Sequence, residues 1–177
     1  MQKFFYLLFA SLFLLAGCSG EKKPSVKPKK PLVLVSIPPY LFFVQKIAGE
    51  TLEVKNLIPA GADPHNFEPT PKHLTSATRA LIWFRSEEPF EKTFLELLRP
   101  YNQKLIECNL NEKIALINHD GHLWLSPKIA LIQAKKITDM LASAFPENQN
   151  LYEDNFQNLK TEIEKTDREI RTKLDLA

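Results

Sequence analysis

Glycine is scarce, with five in 177 residues. No G-x-G-x-x-G or G-x-x-x-x-G-K-[ST] stretch occurs, so the usual backbone cradles for nucleotide phosphates are missing. Cysteine is scarcer, with only Cys18 and Cys108, and two thiols build neither a disulfide-rich scaffold nor a four-thiolate zinc site. No charge sign dominates: 23 Lys+Arg stand against 21 Asp+Glu, a formal net charge of +2. That withholds the basic excess of a dedicated nucleic-acid binder. No H-E-x-x-H pairing occurs, which counts against a zinc hydrolase. What is there is 44% hydrophobic and 25% charged, a globular composition with too much apolar surface for a disordered tail.

The amino terminus reads as an address. Lys3 precedes an uncharged run from Phe4 to Leu15, which as a helix spans about 18 Å and falls short of a hydrocarbon core of about 30 Å. A signal peptide over residues 1–17 is therefore expected. Leu15-Ala16-Gly17-Cys18 resembles the lipobox of bacterial lipoproteins, which implies cleavage before Cys18 and a lipid on its sulfur. The alternative is an ordinary secretory signal with an incidental cysteine. Residues 18–31, ending in the Lys/Pro-rich Glu21–Pro31, then form an extended tether. The chain is expected to be exported and lipid-anchored to the membrane, on the periplasmic or cell-surface side.

From Leu32 the pattern alternates strands with helices. Strands are expected at 32–36, 52–58, 80–84 and near 104–108, with helices at 38–48, 71–78 and 89–98 between them. That alternation predicts an α/β fold, a parallel sheet of about four strands flanked by helices. Ser126-Pro127 reads as a capped helix start, and this helix runs to Phe145, where Pro146 stops it. A long helix follows, roughly 148–174, with Tyr152, Phe156, Leu159, Ile163, Ile170 and Leu174 on one stripe. A helix carrying an apolar stripe to three residues from Ala177 reads as part of a longer architecture.

Four histidines carry candidate chemistry. His65 lies in Gly61-Ala-Asp-Pro-His-Asn-Phe-Glu-Pro69, directly after the second strand. His122 lies in His119-Asp-Gly-His-Leu-Trp-Leu-Ser-Pro127, after the fourth strand and before a helix. Loops leaving the carboxyl edge of an open α/β sheet are where ligands bind, and neutral imidazole is the commonest metal ligand. A separation of 57 residues is no ligand motif by itself, and loop histidines bonded to backbone account for the residues as well.

The two loops together resemble those of zinc- and manganese-type solute-binding proteins of bacterial ABC importers, with patterns near G-A-D-P-H-x-[FYW]-E-P-[ST]-P and H-x-W-L-[DS]-P. Gly61–Pro71 and His122–Pro127 match them. Val35–Tyr40, Ile47–Gly49, Phe145–Asn148 and Leu151-Tyr152 match further stretches, so the resemblance covers residues 32–177. It implies one lobe of a two-lobed periplasmic-binding-protein fold: residues 32–146 as the amino-terminal metal-binding lobe and 147–177 as the long inter-lobe helix, with the second lobe absent. It also implies His65 and His122 as metal ligands, and two further ligands belonging to a lobe beyond Ala177. The implied function is capture of a divalent metal, zinc or manganese and less readily iron, for delivery to an ABC permease, with no bond made or broken. With two ligands alone, affinity weaker than about micromolar is expected. The competing reading is a lipid-anchored adhesin or a truncated, non-transporting remnant. One departure stands out: Asp120-Gly121 replaces the family's usual Asp-Pro before the second histidine.

Asp63 and Glu68 are candidates to orient His65 from behind, with turn formation and helix capping as the alternative. His119 is a candidate auxiliary ligand or an exposed loop residue. His73 reads as surface, Cys108 as a core thiol, and Glu87-Glu88 as a solvated pair.

Overall fold

The computed structural model describes residues 29–59, 61–115 and 120–175. The expected signal peptide, Cys18, most of the tether and His119 lie outside them. Strand β1 (Leu32–Val35) is the centre of the sheet and is buried along its whole length, as a β-branched run in a parallel sheet covered on both faces must be. It pairs in parallel with β2 (Glu53–Asn56) on one side and with β3 (Ala80–Arg85) on the other. Strand β4 (Ile106–Asn109) pairs in parallel with β3, giving the order β2-β1-β3-β4. The expected α/β class and strand number are those observed.

Strand β2 is shorter than the 52–58 expected. It sits at the sheet's edge, and beyond Asn56 the N–H groups of Leu57 and Ile58 bond back to the carbonyls of Val35 and Ser36 as the chain turns over the sheet. Strand β4 starts two residues late, after a turn in which Asn102 Nδ2 donates to the Ala80 carbonyl at 2.8 Å.

Helix α1 (Pro38–Ala48) opens on two prolines and buries Tyr40, Phe43, Val44 and Ile47, which its three- and four-residue spacing puts on one face. It ends at Gly49, whose φ of +56° suits a residue without a Cβ. Helices α2 (Pro71–Ala77) and α3 (Pro89–Leu98) pack together. Helices α4 (Pro127–Ala144) and α5 (Gln149–Asp175) pack on each other and on α1. The crossovers β1-α1-β2 and β3-α3-β4 run outward in opposite directions. Right-handed connections then place α1 and α3 on opposite faces. The direction reverses between β1 and β3, and the carboxyl ends of those strands frame a crevice.

Ser126 precedes α4 as expected, but its hydroxyl makes no capping bond. Its carbonyl accepts the Ala130 N–H at 2.8 Å, and Pro127 brings no N–H to the first turn. Helix α5 belongs to the core over its first half, where Tyr152, Phe156 and Leu159 are buried. Asn155 Nδ2 donates to the Ile47 carbonyl at 2.9 Å, and Lys46 pairs with Glu162 at 2.8 Å. Beyond that the stripe loses its partner: Ile170 is 46% exposed and Leu174 68%. No described helix is long and apolar enough to cross a membrane.

Candidate metal site

Both histidine loops are built by one local device. Asp63 accepts the His65 backbone N–H at 3.0 Å, and Asp120 accepts the His122 backbone N–H at 2.9 Å. An aspartate bonded two residues ahead makes a tight turn from its own side chain. Asp63 also accepts from Asn66 Nδ2 at 2.6 Å. These backbone and side-chain donors hold both aspartates below the usual carboxylate range. Gly121 therefore replaces proline without loss of the turn.

The topology brings the two loops together. The rings of His65 and His122 meet edge to face, with centroids 5.9 Å apart. His122 is held on two sides. Its Nδ1 lies 2.6 Å from Asp120 Oδ1, and its ring packs on Trp124 at 5.1 Å, which in turn meets Tyr40 at 6.0 Å. With Nδ1–H donated to a carboxylate, the Nε2 lone pair is the one free to ligate.

A cavity of 230 Å³ opens beside the rings, lined by His65, His122, Glu88, Ser86, Asn111 and Trp124 among others. Its floor is a buried polar network. Asn111 Nδ2 donates to the Ser86 carbonyl at 2.7 Å, and Gln133 Nε2 donates to Tyr40 Oη at 2.8 Å and to Asn111 Oδ1 at 2.9 Å. Burial pushes the Tyr40 phenol far above its ordinary range, with the Gln133 bond opposing.

Glu88 overturns its reading as a solvated residue. Its side chain is 9% exposed, and Oε2 lies 4.0 Å from His65 Nδ1. Desolvation first, then the charge of Glu91, raises its carboxyl above the usual range, while both imidazoles and Ser86 oppose this. A Glu-Glu-Pro at the end of the third strand carries the positional signal, since it leaves the same sheet edge as His65. Periodicity cannot show which of its carboxylates turns inward.

The other candidates stand elsewhere. Asp63 touches the backbone of His65 and shapes its turn. Glu68 is exposed and bonded to none of the described residues. His73 is a cap: its Nδ1 accepts the Thr70 N–H at 3.0 Å at the start of α2. Phe67 packs on Phe90 and His73, and Cys108 is half-buried against the core. Among the described residues, no three His, Cys, Asp or Glu side chains already stand close enough to hold an ion.

Two imidazoles meeting at the carboxyl edge of a parallel sheet place this chain among α/β proteins whose sheet edge has the form of a ligand site. The chain belongs to the family described as zinc-uptake complex component A, periplasmic, whose model matches residues 33–177. A Chlamydia trachomatis protein, provisionally named as metal-binding, is 36% identical over 172 residues, covering 93% of this chain and 60% of its own. Two streptococcal relatives are each 26% identical. One is the iron ABC transporter substrate-binding lipoprotein MtsA of Streptococcus pyogenes, with 94% of this chain and 59% of that protein covered. The other is the manganese ABC transporter substrate-binding lipoprotein PsaA of Streptococcus mitis, with 96% and 60% covered. A crystal structure of ZnuA superposes with a TM-score of 0.73 at 32% identity, over 80% of this chain and 57% of that one. The chain thus spans about 60% of the length of the curated relatives it matches. The relatives named for transport are substrate-binding proteins, not enzymes.

Proposed function

We propose that this chain captures a divalent transition metal outside the cytoplasm and hands it to an ABC permease, with His65 and His122 as ligands. The observation that carries the reading is the meeting of the two imidazoles, 5.9 Å apart, from loops 57 residues distant in sequence. Asp120 fixes one of them in the tautomer that ligates through Nε2. Zinc and manganese are the favoured cargoes and iron the third, in keeping with the family description and the relatives' names. Imidazole suits several of these ions, so the choice rests on the remaining ligands.

In this reading residues 1–17 are a signal, Cys18 carries the lipid, 18–31 is the tether, and 32–146 is the metal-binding lobe. The segment 147–177, which contains α5, leads toward a second lobe. Calorimetric titration with zinc and with manganese tests the proposal. The parent chain is expected to bind one ion, and a His65→Ala/His122→Ala double variant none. Equal binding by both proteins, or no binding by the parent, would sink it.

A further inference from the structure

We infer that Glu88 is a third, oxygen ligand of this metal site, so that one lobe by itself offers two imidazole nitrogens and a carboxylate. The inference rests on the reading of His65 and His122 as ligands. Three loops contribute, following β2, following β3 and preceding α4, and all three line one cavity of 230 Å³.

Three observations carry it. The first is position. Glu88 Oε2 stands 4.0 Å from His65 Nδ1 with its side chain 9% exposed. Two ligands of one ion, each about 2.0–2.2 Å from it, lie roughly 3–3.5 Å apart in tetrahedral geometry. For this pair, a side-chain adjustment of about 1 Å or less brings the carboxylate oxygen and the ring nitrogen to that spacing.

The second is how the chain delivers the residue. Glu87 has a φ of +66°, a left-handed conformation that costs a side-chain-bearing residue and persists only where its surroundings over-determine it. Here they do. The Glu87 N–H donates to Glu91 Oε2 at 3.1 Å, and its carboxylate accepts from Asn109 Nδ2 at 2.7 Å. Glu91 also accepts the Ser86 N–H at 2.8 Å and pairs with Arg85 at 3.1 Å. A strained turn braced from both sides puts the next residue, Glu88, into the cavity.

The third is charge. Glu91 has a guanidinium to neutralise it. Among the described residues, Glu88 pairs with no lysine or arginine and has only His65 in ion-pair range. A desolvated carboxylate without a cation is costly, and a divalent ion between it and the imidazoles removes that cost. A carboxylate also shifts a two-imidazole site toward manganese and iron relative to zinc.

The test titrates the whole chain with manganese, zinc and cobalt(II), comparing the parent, Glu88→Gln and the His65→Ala/His122→Ala double variant. Glutamine keeps the shape and the hydrogen-bond acceptor and removes the charge. Glu88→Gln is expected to weaken manganese by about 10-fold or more, to weaken zinc less, and to shift the cobalt(II) absorption bands. Glu88→Asp, which keeps the charge but withdraws it by one methylene, is expected to fall between the two and carries the test if the glutamine variant melts early. Parent-like affinities and cobalt spectrum in Glu88→Gln, with binding still lost in the double histidine variant, would overturn the Glu88 assignment alone. Binding that survives in the double variant would overturn the reading beneath it.

Discussion

Asp120 grips His122 twice, accepting its backbone N–H at 2.9 Å and lying 2.6 Å from its ring Nδ1. The same carboxylate therefore sets both the turn and the orientation of the imidazole. Asp63 makes only the first of these bonds to His65, and the Glu88 carboxylate lies 4.0 Å from the Nδ1 of that ring.

Asp120→Ala is expected to weaken zinc binding by about 10- to 100-fold, the usual consequence of releasing a ligand histidine's outer partner. Gly121→Ala is the control, because a Cβ there meets nothing within 4 Å, and it should keep parent affinity. Calorimetric titration of both variants checks the pair. Unchanged affinity in Asp120→Ala would remove the orienting role.

Glu91→Ala should destabilise the fold by about 3 kcal/mol or more. The substitution leaves Arg85 short of a buried partner and strips the Ser86 and Glu87 N–H groups of their acceptor. Chemical denaturation followed by tryptophan fluorescence reads it directly. A loss below about 1 kcal/mol would mean that Glu107, which also pairs with Arg85 at 2.8 Å, suffices, or that water replaces the carboxylate.

Stability should weaken in acid partly through Glu53. Arg79 donates 2.8 Å bonds to both its carboxylate oxygens, and this pairing above all holds Glu53 below its ordinary value of 4.5. A carboxyl depressed in the folded state binds protons less readily there than in the unfolded chain. Its contribution is therefore complete above pH 4.5 and disappears as pH falls through the depressed folded value. The pair is partly exposed, so its size is under about 1 kcal/mol. The stability gap between the parent and Glu53→Gln should close as urea titrations move from pH 7 toward pH 3. A gap independent of pH would contradict this.

Helix α5 should respond differently along its length. Phe156→Ala removes a buried ring from the interface with α1 and α4 and should cost about 3–5 kcal/mol. Leu174→Ser, at a position 68% exposed, should change stability by no more than about 0.5 kcal/mol. Thermal melts of the two variants compare them. Equal losses would mean that the helix is stabilised as one unit.

The apolar periodicity of Tyr40, Phe43, Val44 and Ile47 determined α1 and its buried face, because contacts three and four residues apart are fixed by helix geometry. The Asp-x-His turns were written locally too, since an aspartate reaches the N–H two residues ahead whatever surrounds it. The tertiary structure decided the rest. His65 and His122 meet because the crossovers bring the loop after β2 and the loop before α4 to one edge of the sheet. Glu88 looked like half of a solvated pair because its burial depends on the left-handed turn at Glu87 and on Glu91, a turn further along α3. The stripe on α5 was legible as apolar, yet which half finds a partner depends on where α1 and α4 end. Sequence spacing specifies which groups share a face. Only the packed chain specifies which of those faces, and which charges, lose their water.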